Sequence, residues 1–278
     1  MNKRIFFVGI IAVVLLGSAS AWVGRGAIRD AWEQMRKPAI PVAKPFSSVV
    51  QATSTVPVKT VATSTKRLVK TKATLPDPFA VDGSLPSSVN LAVPFLSQAP
   101  KQNWDMPYQE ACEEASMIMV DAFERGRTVK YQPDEGDQAI LSLVSFETDT
   151  LRFGPDLTAS QTVQTFEGYF KNRSGIVKAN PTVDDVKRAL ANGYPVILPF
   201  YGKVLGNPNF RNGGPEYHML VVKGYLADGR WITNDPGTRL GADYLYAQDV
   251  MMNAIRDWNG GDVPNGGRVM IVMLPQSR

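Results

Sequence analysis

Cysteine and histidine are almost missing from this chain: each occurs once, as Cys112 and His218. A single cysteine excludes an intramolecular disulfide, and with one histidine beside it a zinc site of the Cys/His type cannot be assembled. The Asp-x-Asp-x-Asp-Gly loop that holds calcium is also absent, so neither a metal nor a cofactor is expected. A third absence is regional. No acidic residue falls between Glu33 and Asp77, whereas Arg36, Lys37, Lys44, Lys59, Lys66, Arg67, Lys70 and Lys72 do. The formal charge of +4 therefore belongs largely to one segment. That pattern suits attraction to an anionic surface better than a nucleic-acid face on a folded domain, and no nucleic-acid partner is expected. What is present suits a globular core, with 44% hydrophobic and 9% aromatic residues over 278 positions.

The N-terminus carries a targeting pattern. Asn2-Lys3-Arg4 is a basic start, Ile5 to Val23 runs for 19 residues without a charge, and Arg25 closes the run. Residues 1–26 are expected to be a signal peptide or a signal anchor. Ala19-Ser20-Ala21 matches a signal-peptidase site, while the length approaches the ~20 residues that span a bilayer as a helix. Lys3 and Arg4 ahead of the run place the N-terminus in the cytoplasm and the bulk of the chain outside it. Residues 27–87 are rich in Pro, Thr, Ser, Val, Ala and Lys, with near-repeats such as Ala52-Thr53-Ser54-Thr55 and Ala62-Thr63-Ser64-Thr65. They read as an extended linker that holds a domain away from a membrane or wall.

A compact domain is expected over 88–278. Val89 to Phe95 reads as a first strand. Ala111 to Arg125 has apolar residues on one helical face, with Gly126 at its stop. Further helices are expected over 137–148 and 160–172, and another begins at the N-cap Thr182 and runs through Ala191. Strands are expected over 195–201, 217–225 and 230–235, with a tight turn at Asp228-Gly229, then over 242–246 and 269–274, with a helix over 247–258 between them. Helices early and antiparallel strands late argue for an α+β domain in which the Cys112 helix packs on a sheet.

Cys112 falls where a polar loop gives way to that helix. Free backbone N–H groups and the helix dipole favour a thiolate at such a place. Glu113 and Glu114 suit a first helical turn, but as anions pointing at the thiol they would oppose the thiolate and make a histidinium partner more necessary. His218 opens the apolar strand Tyr217 to Tyr225, where it is held rigidly and can act first as general base and then as general acid. Its tautomer needs an acceptor. Asp235, at the end of Arg230-Trp231-Ile232-Thr233-Asn234-Asp235, is the first candidate, with Asn234 as its rival on the opposite face. An oxyanion needs donors besides the Cys112 N–H. Gln98 is the first candidate and Gln109 the alternative. Trp104 is a candidate roof for such a site. The Gly/Asn/Pro-rich stretch from Gly202 to Pro215 is a surface loop placed to shape a cleft.

Val93-Pro94-Phe95-Leu96-Ser97-Gln98, Cys112-Glu113-Glu114-Ala115, Tyr217-His218-Met219-Leu220-Val221-Val222-Lys223-Gly224-Tyr225 and Asn234-Asp235-Pro236-Gly237-Thr238, in that order, resemble the bacteriocin-processing (double-glycine leader) peptidase family and its stand-alone exported relatives. These are papain-like cysteine peptidases, and the resemblance spans roughly 89–274. It implies a papain-like fold, with a nucleophile helix packed on a mostly antiparallel sheet. It also implies a triad of Cys112, His218 and Asp235 with Gln98 in the oxyanion hole. Glu113 stands where family members often have glycine, and the spacing from Gln98 to Cys112 is longer than in transporter-fused members.

The expected function is an extracytoplasmic cysteine peptidase, monomeric, acting on a peptide or protein and tied to the membrane by its N-terminal segment unless that segment is cleaved. Two alternatives share the same residues. One is a membrane-tethered binding module without turnover. The other is a thiol amidase or acyl transferase acting on cell-wall peptides.

Overall fold

The computed structural model describes residues 39–48, 77–80, 83–171 and 173–275. The expected signal segment and most of the linker lie outside these residues. Among the described residues, no helix is long and apolar enough to cross a membrane.

The compact unit begins at Pro41. It holds one antiparallel sheet of β1 (Val89–Asn90), β2 (Ser174–Ala179), β3 (Val196–Tyr201), β4 (Tyr217–Tyr225), β5 (Arg230–Asn234), β6 (Tyr244–Ala247) and β7 (Val269–Leu274). The strand order is β2-β7-β3-β4-β5-β6, with β1 paired to β4. The helices are α1 (Cys112–Glu124), α2 (Pro133–Phe146), α3 (Ala159–Phe170), α4 (Val183–Ala191) and α5 (Gln248–Ala254). α1 packs on β4 and against α2 and α3, and α3 lies on β2 and β7. This is the α+β arrangement that the sequence led us to expect, with the Cys112 helix packed on an antiparallel sheet.

β4 is the spine of the sheet. All nine of its residues are buried, and the apolar run from Met219 to Val222 at its centre suits a strand covered on both faces. Gly224 allows β1 to approach it, since a Cβ at that position would sit 2.2 Å from the Val89 carbonyl oxygen. α1 departs from the one-faced helix expected of its sequence. Every residue from Cys112 to Glu124 is buried, because sheet and neighbouring helices enclose it. Several of its polar groups find partners in the interior: Arg173 donates to Asp121 at 2.8 Å and to Glu124 at 2.5 Å, and Ser116 Oγ donates to the Cys112 carbonyl at 2.7 Å.

Several element boundaries differ from the expected ones. The first strand is two residues long, α5 stops at Ala254, and α2 starts earlier, on Pro133 behind a Gln132/Glu135 capping box. Strand β2, at the sheet edge, was not anticipated: its residues are half-buried or exposed and carry no clear apolar alternation.

Part of the stretch read as linker packs on the domain. Lys44 N–H donates to the Asn90 carbonyl at 2.8 Å, and Ala92 N–H donates to the Lys44 carbonyl at 2.9 Å. Phe46 is buried edge-on against Phe123, with ring centroids 5.5 Å apart. Asn192 donates to the carbonyls of Asp77 and Pro78 at 3.1 Å each. Composition hid this docking, because one aromatic anchor among prolines and threonines has no periodicity. Phe46→Ala should lower stability by about 3 kcal/mol, the usual scale for emptying a buried aromatic site. A urea midpoint unchanged by the substitution would show that this strap does not contribute to the fold.

Candidate active site

The loop after β1, the start of α1, the start of β4 and the turn after β5 converge on one cavity of about 820 Å³. Gln98, Cys112, His218 and Trp104 all line it, together with Gln109, Trp258 and Gly237. The loop from Gly202 to Pro215 supplies Asn209, Phe210, Arg211 and Pro215 to its wall.

Cys112 is the first residue of α1 and is buried. Its sulfur accepts from Met219 N–H at 3.2 Å, so it is held beside the backbone of the residue that follows His218. The thiol also meets Glu113 Oε2 at 3.0 Å, where it can donate. Burial pushes the Cys112 thiol well above its ordinary value, and the neighbouring Glu113 carboxyl adds to the effect, while the Met219 N–H works the other way.

His218 sits across from Phe200 in the β3–β4 ladder. Its Nε2 lies 2.8 Å from Asp235 Oδ1. That bond leaves Nδ1 as the ring nitrogen free for exchange with a thiol. The ring is clamped from other sides as well. Phe210 meets it edge-on at 5.3 Å between centroids, and a Cβ on Gly237 would come within 2.8 Å of its Cε1. Antiparallel pairing of Val221 with Asn234 puts Asp235 diagonal to His218 on one face, the placement expected from the two strands.

Asp235 is fully buried. Burial works to raise its pKa. Even so, the carboxyl is held below the usual aspartate value by the charge and hydrogen bond of His218, by Tyr246 O–H and by Gly237 N–H. Tyr246 donates to Oδ2 at 2.5 Å, Asn207 Nδ2 reaches Oδ2 at 3.2 Å and the Tyr246 oxygen at 2.7 Å, and Gly237 N–H donates to Oδ1 at 3.0 Å. The rival Asn234 is occupied elsewhere: its Nδ2 donates to the Val93 carbonyl at 3.0 Å and its Oδ1 accepts from Asp243 N–H at 3.3 Å.

Sequence reasoning missed Tyr246 and Asn207. The strand register sets Tyr246 opposite Trp231, so no pairing rule brings it to Asp235. Asn207 lies in the irregular loop and carries no local signal.

Gln98 is buried and lines the cavity, but its Nε2 donates to the carbonyls of Tyr108 and Gln109 at 2.9 and 3.0 Å. Its Oε1 is buried without a partner among the described residues. Gln109 also lines the cavity, with its amide turned to Glu110 Oε1 at 2.8 Å.

Behind the cysteine lies a group of carboxyls. Glu113 and Glu114 are buried rather than displayed on a helix surface as their sequence position suggested. Glu113 Oε1 accepts from Leu157 N–H at 3.0 Å. Glu114 shares a hydrogen bond with Glu147, while among the described residues Glu114 Oε2 and Glu147 Oε1 have no other partner. Burial raises all three carboxyls: Glu113 and Glu114 lie well above the ordinary glutamate value and Glu147 is pushed up to about 7. Among the described residues, no set of three or more His, Cys, Asp or Glu is arranged to hold a metal ion.

The model of the Peptidase_C39-like family matches residues 90–260, which include the cysteine, the histidine and the aspartate. The chain belongs to the Peptidase_C39-like family. Among solved structures it is similar to a Bacillus anthracis protein assigned as a C39-like peptidase, with 18% identity, a TM-score of 0.46, and coverage of 69% of this chain and 99% of that one. No curated protein matches the chain.

The buried carboxyls make stability depend on pH with a definite sign. A group whose pKa is raised by folding stabilises fully below its unfolded value and loses that contribution as pH rises through its folded value. For Glu147 the window runs from 4.5 to about 7. The urea midpoint should therefore fall between pH 5 and pH 8, and Glu147→Gln should flatten the fall. A midpoint that holds steady or rises over this range would show that these carboxyls are already charged in the folded chain.

Proposed function

We propose that the chain is a cysteine peptidase that works outside the cytoplasm as a stand-alone relative of the bacteriocin-processing peptidases. Its N-terminal segment anchors it to the membrane or is cleaved to release it, and it acts as a monomer on a peptide or protein. Cys112 is the nucleophile, His218 the base and acid, and Asp235 the group that orients His218. The Cys112 N–H and the Gln98 amide stabilise the oxyanion, Gln98 releasing one of its two backbone acceptors to do so. The observation that carries this reading is the His218 Nε2–Asp235 bond at 2.8 Å, which leaves Nδ1 as the ring nitrogen not held by Asp235, on a histidine that lines the same cavity as Cys112.

The chemistry follows from these roles. The S–H proton passes to Nδ1, and the sulfur lone pair attacks the carbonyl carbon as the C=O pair moves onto oxygen. Collapse of the tetrahedral species breaks the C–N bond, and the imidazolium proton goes to the leaving amine. Water, deprotonated by the same imidazole, then opens the thioester.

The buried thiol, faced by a carboxyl, favours a second reading in which the site binds a peptide without turning it over. An electrophilic thiol probe separates the two, and the single cysteine makes the labelling unambiguous. Labelling of Cys112 at neutral pH is expected, falling about 10²-fold in His218→Ala through loss of the base. Asp235→Asn should slow labelling while leaving the fold intact. An unlabelled Cys112, or a rate indifferent to His218→Ala, would leave the binding module as the better reading.

A further inference from the structure

Glu113 is fully buried, and its carboxyl is fixed at both oxygens. Oε1 accepts from Leu157 N–H at 3.0 Å, and Oε2 lies 3.0 Å from the Cys112 sulfur. The Leu157 carbonyl in turn accepts from Tyr217 O–H at 2.8 Å, so the group is pinned between α1, the loop before α3 and the first residue of β4.

Its surroundings decide its charge. From α1 it is faced by Glu114 and from the loop before α3 by Asp156; Tyr217 faces it from β4, and Glu147 lies beyond Glu114. Burial pushes Asp156 up to about 6 and the Tyr217 hydroxyl well above its ordinary value. The imidazole on β4 is turned to Asp235. Among the described residues, no ion pair reaches Glu113, Glu114 or Glu147. A carboxylate buried among other carboxyls with one N–H donor and no cation is costly, and protonation removes the cost. Because Oε1 is taken by the Leu157 N–H, the acid proton belongs on Oε2, the oxygen facing the sulfur.

Resting on the reading of Cys112 as nucleophile, we propose that Glu113 is a neutral carboxylic acid whose O–H donates to the Cys112 sulfur, so that the thiolate is held by two donors, Glu113 O–H and Met219 N–H. When the S–H bond breaks, the electron pair stays on sulfur, the proton goes to His218 Nδ1, and Glu113 keeps its own proton. Transfer within the Cys112–Glu113–His218 group thus leaves one anion, the thiolate, and one cation, the imidazolium. An ionised Glu113 would act in the opposite sense, repelling the thiolate and returning the proton to sulfur. The proposal thus turns a residue that looks hostile to the nucleophile into one of its supports.

Alkylation of the full chain by iodoacetamide as a function of pH tests this, since only one thiol can react. Glu113→Met removes the donor at similar volume. Its profile should move up by about one pH unit, with a neutral-pH rate at least tenfold lower, the scale of one lost charge-assisted hydrogen bond. Glu113→Gln restores a neutral donor and should bring the rate back to within about threefold of the parent. A Glu113→Gln rate raised tenfold would mean that Glu113 is an anion opposing the thiolate, and would overturn the proposal. So would a Glu113→Met profile identical to the parent's. Glu113→Gln decides the question even where Glu113→Met fails to fold. His218→Ala separates this outcome from failure of the underlying reading: a profile indifferent to His218 removes the thiol–imidazole pair itself, whereas one that needs His218 but not Glu113 removes only the role of Glu113.

Discussion

The Asp235 carboxylate keeps its charge without contact with water, and the candidate site is built around that fact. Burying a lone carboxylate costs several kcal/mol, and the cost is offset only where donors surround it. Here Tyr246, Asn207, Gly237 and His218 all reach it. These contacts tie the strands β4 and β6, the irregular loop after β3 and the turn after β5 to one atom group. They also choose which imidazole nitrogen faces the carboxylate, and so which one is left for other partners. The sheet explains why this can be done rigidly. β4 and β5 are central strands, and Gly237 brings the turn against the imidazole, where a larger residue would push the ring away.

On the other side of the cavity the problem is inverted. Glu113, Glu114 and Glu147 are buried carboxyls with no ion pair among the described residues, and burial raises their pKa values. The two halves of the site thus handle the same functional group in opposite ways. Asp235 is held below its ordinary pKa by its donors; the carboxyls behind Cys112 have fewer donors and no ion pair among the described residues, and burial raises them. That contrast separates a group that can stabilise an imidazolium from groups that do not compete for it.

Much of this was legible in the chain. Inventory alone paired Cys112 with His218, because there was one of each, and the unbroken apolar run from Met219 to Val222 marked a buried central strand. The Asp-Pro-Gly stop after β5 placed Asp235 at a strand end. The illegible parts share one cause: they depend on what lies across the fold. Glu113 and Glu114 look like ordinary first-turn charges until three layers close over α1. Tyr246 reaches Asp235 past its own register partner, and Phe46 finds Phe123 from a segment whose composition resembles a tether. β2 hides because an edge strand needs little apolar content.

The central claim is that Asp235 holds Nε2–H of the single histidine and leaves Nδ1 to the sulfur. Nitrogen NMR of the imidazole measures this directly, with one side-chain spin system and no assignment ambiguity. The account expects a protonated Nε2 at neutral pH and an Nδ1 resonance that moves when Cys112 is alkylated. An unprotonated Nε2, or an Nδ1 resonance unaffected by alkylation, would contradict it.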